Sequence, residues 1–265
     1  MLGLVLVGFL LVLAIAQAFG LVGTDPLKQA ASIRLQGPSA AHWFGTDQFG
    51  RDVFSRVAAG VANTTQIAAV AVGVAALVGT LLGVIAGFYL KGPDAIISGV
   101  TNVLFAFPPL LLALSLTSVM DRNWFTVAVA IAIVYIPIFI RVARGPVLSL
   151  RNIEYVRAAV STGQSRMAIT MRHVLPNITS IIIVQVSLSL SWAVLTEASL
   201  SFLGLGNPPP APSLGSMIYE ARTLVSVAPW TMVAPGIVIV LLVVGLNLLG
   251  DGLRDSFDPR KRGSS

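Results

Sequence analysis

The stretch Ile67-Ala68-Ala69-Val70-Ala71-Val72-Gly73-Val74-Ala75-Ala76-Leu77-Val78-Gly79-Thr80-Leu81-Leu82-Gly83-Val84-Ile85-Ala86-Gly87-Phe88-Tyr89-Leu90 runs for 24 residues without a charged side chain. A bilayer core about 30 Å thick is crossed by roughly 20 apolar residues of helix, so the stretch reads as a membrane span. Within it Ala71, Ala75, Gly79, Gly83 and Gly87 recur every four residues, a stripe of small side chains on one helix face. Such stripes let backbones approach closely where lipid removes the hydrophobic drive between helices. The first reading of the stripe is packing inside the subunit or against a partner helix; the second is a sliding contact between moving helices.

Five further windows of this kind flank it: Leu2–Val22, Ala95–Val119, Trp124–Ile140, Ile178–Leu200 and Thr231–Gly250. Together they predict an all-α integral membrane protein, one domain over 1–265 with six transmembrane helices. Composition agrees, since 55% of the 265 residues are hydrophobic and 11% charged, against about 25% charged in soluble domains. The first window contains Ala16-Gln17-Ala18, which imitates a signal-peptide cleavage site, but no Lys or Arg precedes it as signal peptides require. With no cysteine and only His42 and His173, disulfides, thiolate chemistry and a His-based metal cluster are excluded.

If six helices alternate, the connectors fall on two sides. One side receives Lys91, Arg141, Arg144, Arg151, Arg157, Arg166, Arg172, Arg254, Arg260, Lys261 and Arg262, eleven of the seventeen basic residues, against five acids. The other receives six basic residues and five acids. The positive-inside rule makes the eleven-residue side cytoplasmic. Both termini, the 141–176 connector and the 251–265 tail then face the cytosol, while 23–66 and 201–230 lie outside. The net charge of +6 thus reads as orientation and not as nucleic-acid binding. The Gly263-Ser264-Ser265 end reads as disordered.

Gln185, Ser189, Trp192 and Thr196 are spaced by four, three and four, so they share one face of the fifth span. Polar groups in hydrocarbon need partners or water, so this face either bonds to another helix or lines a wet pathway. Glu197, the one acid inside a span, is expected near the outer surface as an interfacial anchor or helix-end hydrogen-bonder. No charge sits at mid-membrane, which argues against an ion-driven transporter or a channel. Pro108, Pro109, Pro137 and Pro235 permit kinks in three spans.

The connector Leu150–Pro176 carries apolar residues at helical spacing on both sides of Gly163. It reads as two short helices, the first ended by Gly163 in the left-handed conformation and the second stopped by Pro176. An amphipathic, Arg-rich segment of this kind could also lie on anionic lipid. Its pattern is more specific. Ala158-Ala159, three residues, Gly163, then nine residues to His173 and Leu175-Pro176 resembles the "EAA" signature of bacterial ABC-importer permeases.

That resemblance implies a pair of coupling helices that dock on a separate ATPase subunit. Tyr155, Arg157, Ala158, Ala159, Gly163, Arg166, Met167, His173, Leu175 and Pro176 would form the contact, with Arg157 replacing the signature's Glu. Phe44–Arg56, Glu197–Gly206 followed by Pro208-Pro209-Pro210, and Asn247–Asp255 with Asp258-Pro259-Arg260 are similar to the C-type subunit of dipeptide, oligopeptide and nickel permeases. Members of that group usually begin with a short basic tail before the first helix, which this sequence lacks, so a shortened or misassigned start is the expectation. The Gly-Asp-Arg composition of 45–52 suits tight turns. The resemblance adds Asp47, Arg51 and Asp52 as contacts for an external substrate-binding protein.

Lys28, Lys91 and Lys261 lack a Walker A context, and no Gly-x-Ser-x-Gly elbow or HExxH helix is present. The chain is therefore expected to be non-catalytic and to bind no cofactor or metal, ATP and Mg being held by one or two cytosolic ATPase partners. A second homologous permease would complete the pathway, with peptides as cargo, or nickel, haem or another small solute in the alternative reading. A purely structural membrane adaptor is the remaining one.

Overall fold

The computed structural model describes residues 1–257; the expectations for Asp258-Pro259-Arg260, Lys261, Arg262 and the disordered 263–265 end lie outside the described residues. The helices are α1 Leu2–Ala18, α2 Val53–Tyr89, α3 Gly92–Ala106, α4 Pro109–Val119, α5 Trp124–Leu150, α6 Glu154–Ser161, α7 Arg166–Ile169, α8 Leu175–Phe202, α9 Leu214–Ala221 and α10 Trp230–Phe257. Among the described residues the β pairing is one isolated bridge, Thr46 with Asp52. The protein is all-helical, as the hydropathy pattern predicts. Four helical runs are long and apolar enough to cross a membrane, the bent pair α3–α4 makes a fifth, and α1 is a shorter apolar helix of 17 residues.

The small-residue stripe decides how the bundle is built. A Cβ added at Gly79 would lie 2.5 Å from the Phe139 Cβ and 2.7 Å from the Ile136 carbonyl, and one at Gly83 2.5 Å from the Ile140 carbonyl. At Gly87 it would meet Val147 at 2.9 Å. The stripe therefore packs α2 directly on α5 inside the subunit, the first of the two readings. Around this contact Val57, Ile67, Ile131, Phe139, Val194, Leu214 and Leu242 form a continuous core drawn from α2, α5, α8, α9 and α10. Gly3 and Gly245 admit the same close approach between α1 and α10.

Besides shifts at the ends of α1, α8 and α10, the last of which runs to Phe257 and into the expected 251–265 tail, three differences from the sequence expectation shape the bundle. First, α2 begins at Val53, fourteen residues before the Ile67 start of its apolar window, inside what reads as the external segment 23–66. Asp52 sets the start by accepting the Ser55 amide at 2.8 Å, satisfying an otherwise free first-turn donor. Second, the window Ala95–Val119 is not one helix: α3 and α4 meet at a bend of 94°. Phe107 and Pro108, each followed by proline, take ψ of 136° and 129°, because the pyrrolidine ring drives the preceding residue out of the helical region. Pro137, Pro146 and Pro235 sit within uninterrupted helices. Third, α5 continues past Ile140 to Leu150.

Pro176 does not stop the helix that precedes it, contrary to the sequence reading. A π turn over Thr170–Val174 links α7 to α8, with the Leu175 amide bonded to the Thr170 carbonyl. The resulting run, Arg166–Phe202, is 37 residues long. Five-residue spacing moves the carbonyls away from the ring of Pro176, which would otherwise clash with the residue four positions back.

Candidate functional site

Three regions bring the candidate residues together. The first is a cavity of about 680 Å³ between α3, α4, α5 and α8. Gln185, Ser189, Trp192 and Thr196 all line it, as their common face predicts, opposite Phe105, Phe107, Leu110, Tyr135 and Ile138. The α3–α4 break is what turns Phe107 and Pro109 toward this space. The polar face bonds to another helix and also borders the cavity. Thr196 Oγ1 lies 3.2 Å from the Tyr135 hydroxyl across to α5, and the Gln185 amide donates to Ser189 Oγ at 3.1 Å. Among the described residues no Asp, Glu, Lys or Arg lines the cavity.

The second region lies at the basic end of the bundle, where α5 turns into α6. Gly163 has φ +78°, and the Gln164 amide reaches back to the Ala159 carbonyl at 3.2 Å. This is the left-handed C-cap that ends α6. Ser165 then caps α7, its hydroxyl accepting from the Ala168 amide at 3.2 Å. Val156, Ala159 and Ile169 are buried together against Phe88 of α2, which fixes the pair on the bundle. Tyr155, Arg157, Ala158, Gly163, Arg166, Met167 and Pro176 are exposed, while His173 and Leu175 are half-buried. Tyr155 and His173 face each other at 6.0 Å between ring centroids, and the Arg166 guanidinium lies 5.2 Å from the Tyr89 ring. Ala159 is therefore an anchor, and the exposed residues form the outward face.

The third region is the 23–66 segment, where the structure corrects the expectation. Asp47, Arg51 and Asp52 are buried, at 7%, 7% and 6% exposure, so their side chains turn inward and offer no contact surface. Arg51 donates to Asp47 at 2.6 Å and to Glu220 of α9 at 2.7 Å. Arg56 adds a bond to the same Glu220 oxygen at 3.1 Å. Asp52 bonds His42 at 2.9 Å besides capping α2. Burial of charge is tolerated when each group is paired. The network ties the segment to α9 across more than 160 residues of sequence, a separation at which the linear sequence carries no signal for the partnership.

Glu197 also departs from expectation. It accepts a hydrogen bond from Ser201 Oγ at 2.6 Å, as a helix-end group should, yet it is 0% exposed and is no surface anchor. The α9 helix packs on the next residue of α8: a Cβ on Gly215 would meet the Ala198 backbone.

Residues 79–263 match the family described as binding-protein-dependent transport system inner membrane component. The chain belongs to that family of ABC-importer permeases. This permease is 45% identical over 231 residues, 87% of its own length and 76% of the relative's, to the dipeptide transport system permease protein DppC of Alkalihalophilus pseudofirmus. It is 44% identical over 225 residues, 85% of its own length and 75% of the relative's, to the glutathione transport system permease protein GsiD of Pectobacterium atrosepticum. In fold the permease resembles a chain of the inward-facing MetNI methionine ABC transporter, with a TM-score of 0.60, 19% identity and coverage of 74% of this chain and 94% of that one. A chain of an amino acid ABC transporter with histidines gives a TM-score of 0.56 at 16% identity, covering 76% and 94%.

Proposed function

We propose that this permease is one membrane half of an ATP-driven importer of di- and oligopeptides in the bacterial inner membrane. Its termini and the α6–α7 pair lie on the cytosolic side. A second, similar permease completes the pathway; one or two cytosolic ATPases hold ATP and Mg, and an external binding protein delivers cargo. The names of the two relatives support the cargo class, glutathione being itself a short peptide.

The observation that carries this reading is the continuity between the exposed pair and the cavity. The α6 helix follows α5 after only Arg151, Asn152 and Ile153, and α7 runs into α8 through the π turn. Both α5 and α8 line the cavity. An ATPase that holds Tyr155, Arg157, Arg166 and Met167 and moves on closing would therefore displace the cavity's two principal walls together. That is a discrete rigid-body change which nucleotide binding can bias. Uncharged polar and aromatic walls suit a zwitterionic cargo released inside them, because no fixed charge traps it.

The test is uptake into vesicles holding the complete transporter, with dipeptides, tetrapeptides, larger peptides, haem and nickel in competition. ATP-dependent uptake displaced by short peptides is expected. Displacement by haem or nickel alone would transfer the machine to that cargo, and uptake at full rate without ATP would end the proposal.

A further inference from the structure

Among the described residues no charged side chain lines the cavity, but one stands beside it on the basic side. Two arginines stand one helical turn apart on α5. Arg144 is fully occupied, donating to both Asp94 oxygens at 2.6 and 2.7 Å. Arg141 is exposed, and among the described residues no carboxylate pairs with it. Its guanidinium lies 4.1 Å from the centroid of the Phe105 ring. Phe105 lines the cavity, as does Ile138, three residues before Arg141 on the same helix. The ring thus places an unspent positive charge at the cavity's edge, and stacking on an aromatic face leaves the N–H donors at the guanidinium's margin free to bind an anion.

We infer that Arg141 is a carboxylate-recognition residue at the inner mouth of the pathway, binding the free terminal carboxylate of a peptide as it leaves the uncharged cavity. The inference rests on the proposed peptide import. A guanidinium matches a carboxylate in two parallel hydrogen bonds, whereas a C-terminal amide offers one acceptor and no charge. Headgroup phosphate could supply similar chemistry. The stacking on a lining residue favours cargo, because it holds the charge beside a wall of the cavity.

The experiment compares wild-type transporter with Arg141→Gln and Arg141→Lys, each reconstituted with both permeases, the ATPases and the binding protein. Uptake is measured for one dipeptide and its C-terminal amide, and for each cargo the variant rate is divided by the wild-type rate, which cancels the binding protein's own preference. Arg141→Gln is expected to slow the free acid about fivefold, the upper range for an exposed charge pair, and to leave the amide unchanged. The difference should shrink as salt rises, and Arg141→Lys should restore part of it. An equal fall for both cargoes would assign Arg141 to packing or to lipid and overturn the inference, as would no change in either. Failure of wild-type transporter to take up any peptide would instead sink the proposed cargo, a separable result.

Discussion

Ser201 Oγ donates to Glu197 Oε1 at 2.6 Å, and Ser213, the N-cap of α9, donates to the same Ser201 hydroxyl at 3.1 Å. One buried carboxyl thereby links the end of α8 to the start of α9. Ser201→Ala removes the nearest donor to a fully buried acceptor, a loss that costs about 1–3 kcal/mol. Glu197→Gln keeps an acceptor in place. The expected order of thermal stability for the detergent-purified complex is wild type, then Glu197→Gln, then Ser201→Ala; a Ser201→Ala protein as stable as wild type would show that this link is dispensable.

The glycine stripe makes a position-specific prediction. Gly83→Leu drives a side chain into the Ile140 carbonyl and Ala143, while Gly73, on the same helix, has nothing within 4 Å of an added Cβ. Overpacking of this kind costs about 1–3 kcal/mol or more. Gly83→Leu should therefore yield little assembled transporter, and Gly73→Leu should assemble at wild-type level, both read by size-exclusion profile after extraction.

Glu220 is the shared acceptor of Arg51 and Arg56, whose side chains are 9% and 2% exposed. Truncating it leaves two buried guanidiniums sharing the single Asp47 carboxylate, and breaking a buried pair typically costs about 3–5 kcal/mol. Glu220→Ala should lower the midpoint of thermal unfolding more than Ser201→Ala does. Arg222→Ala two residues on, an exposed arginine stacked on Tyr219, should have little effect.

At Gly163 the conformational demand is separable from sterics, since φ is +78° and nothing lies within 4 Å of an added Cβ. Gly163→Ala should cost about 1 kcal/mol of local stability and retain transport. Gly163→Pro cannot reach that φ and also loses the amide bonded to the Val160 carbonyl at 3.1 Å. The measurable expectation is ATP hydrolysis without peptide uptake in Gly163→Pro, with near-normal coupling in Gly163→Ala.

Much of this arrangement is legible in the sequence because it rests on local rules. Hydropathy windows locate the spans, the i, i+4 small residues announce a close helix contact without naming its partner, and Gly163 marks the break between α6 and α7. The common face of Gln185, Ser189, Trp192 and Thr196 is a matter of helical period alone. What escapes depends on partners far apart in the chain. Asp47 and Arg51 read as exposed turn residues until Glu220 arrives to bury them, and Tyr135 and Phe105 gain meaning only across the cavity. The Pro108-Pro109 pair signals a kink but not its size of 94°. Pro176 misleads because a π turn, which sequence does not announce, relieves the clash that normally ends a helix.

That π turn also sets a mechanical scale. At 1.5 Å per residue the 37-residue run from Arg166 to Phe202 is a beam about 55 Å long. Pivoting such a beam by about 10° sweeps its far tip through about 10 Å, enough to open or shut a peptide-sized aperture. Its compliant joint at Thr170–Val174 lies beside the point where force would enter, so the stiffness of five residues governs how much of an imposed stroke reaches the opposite face.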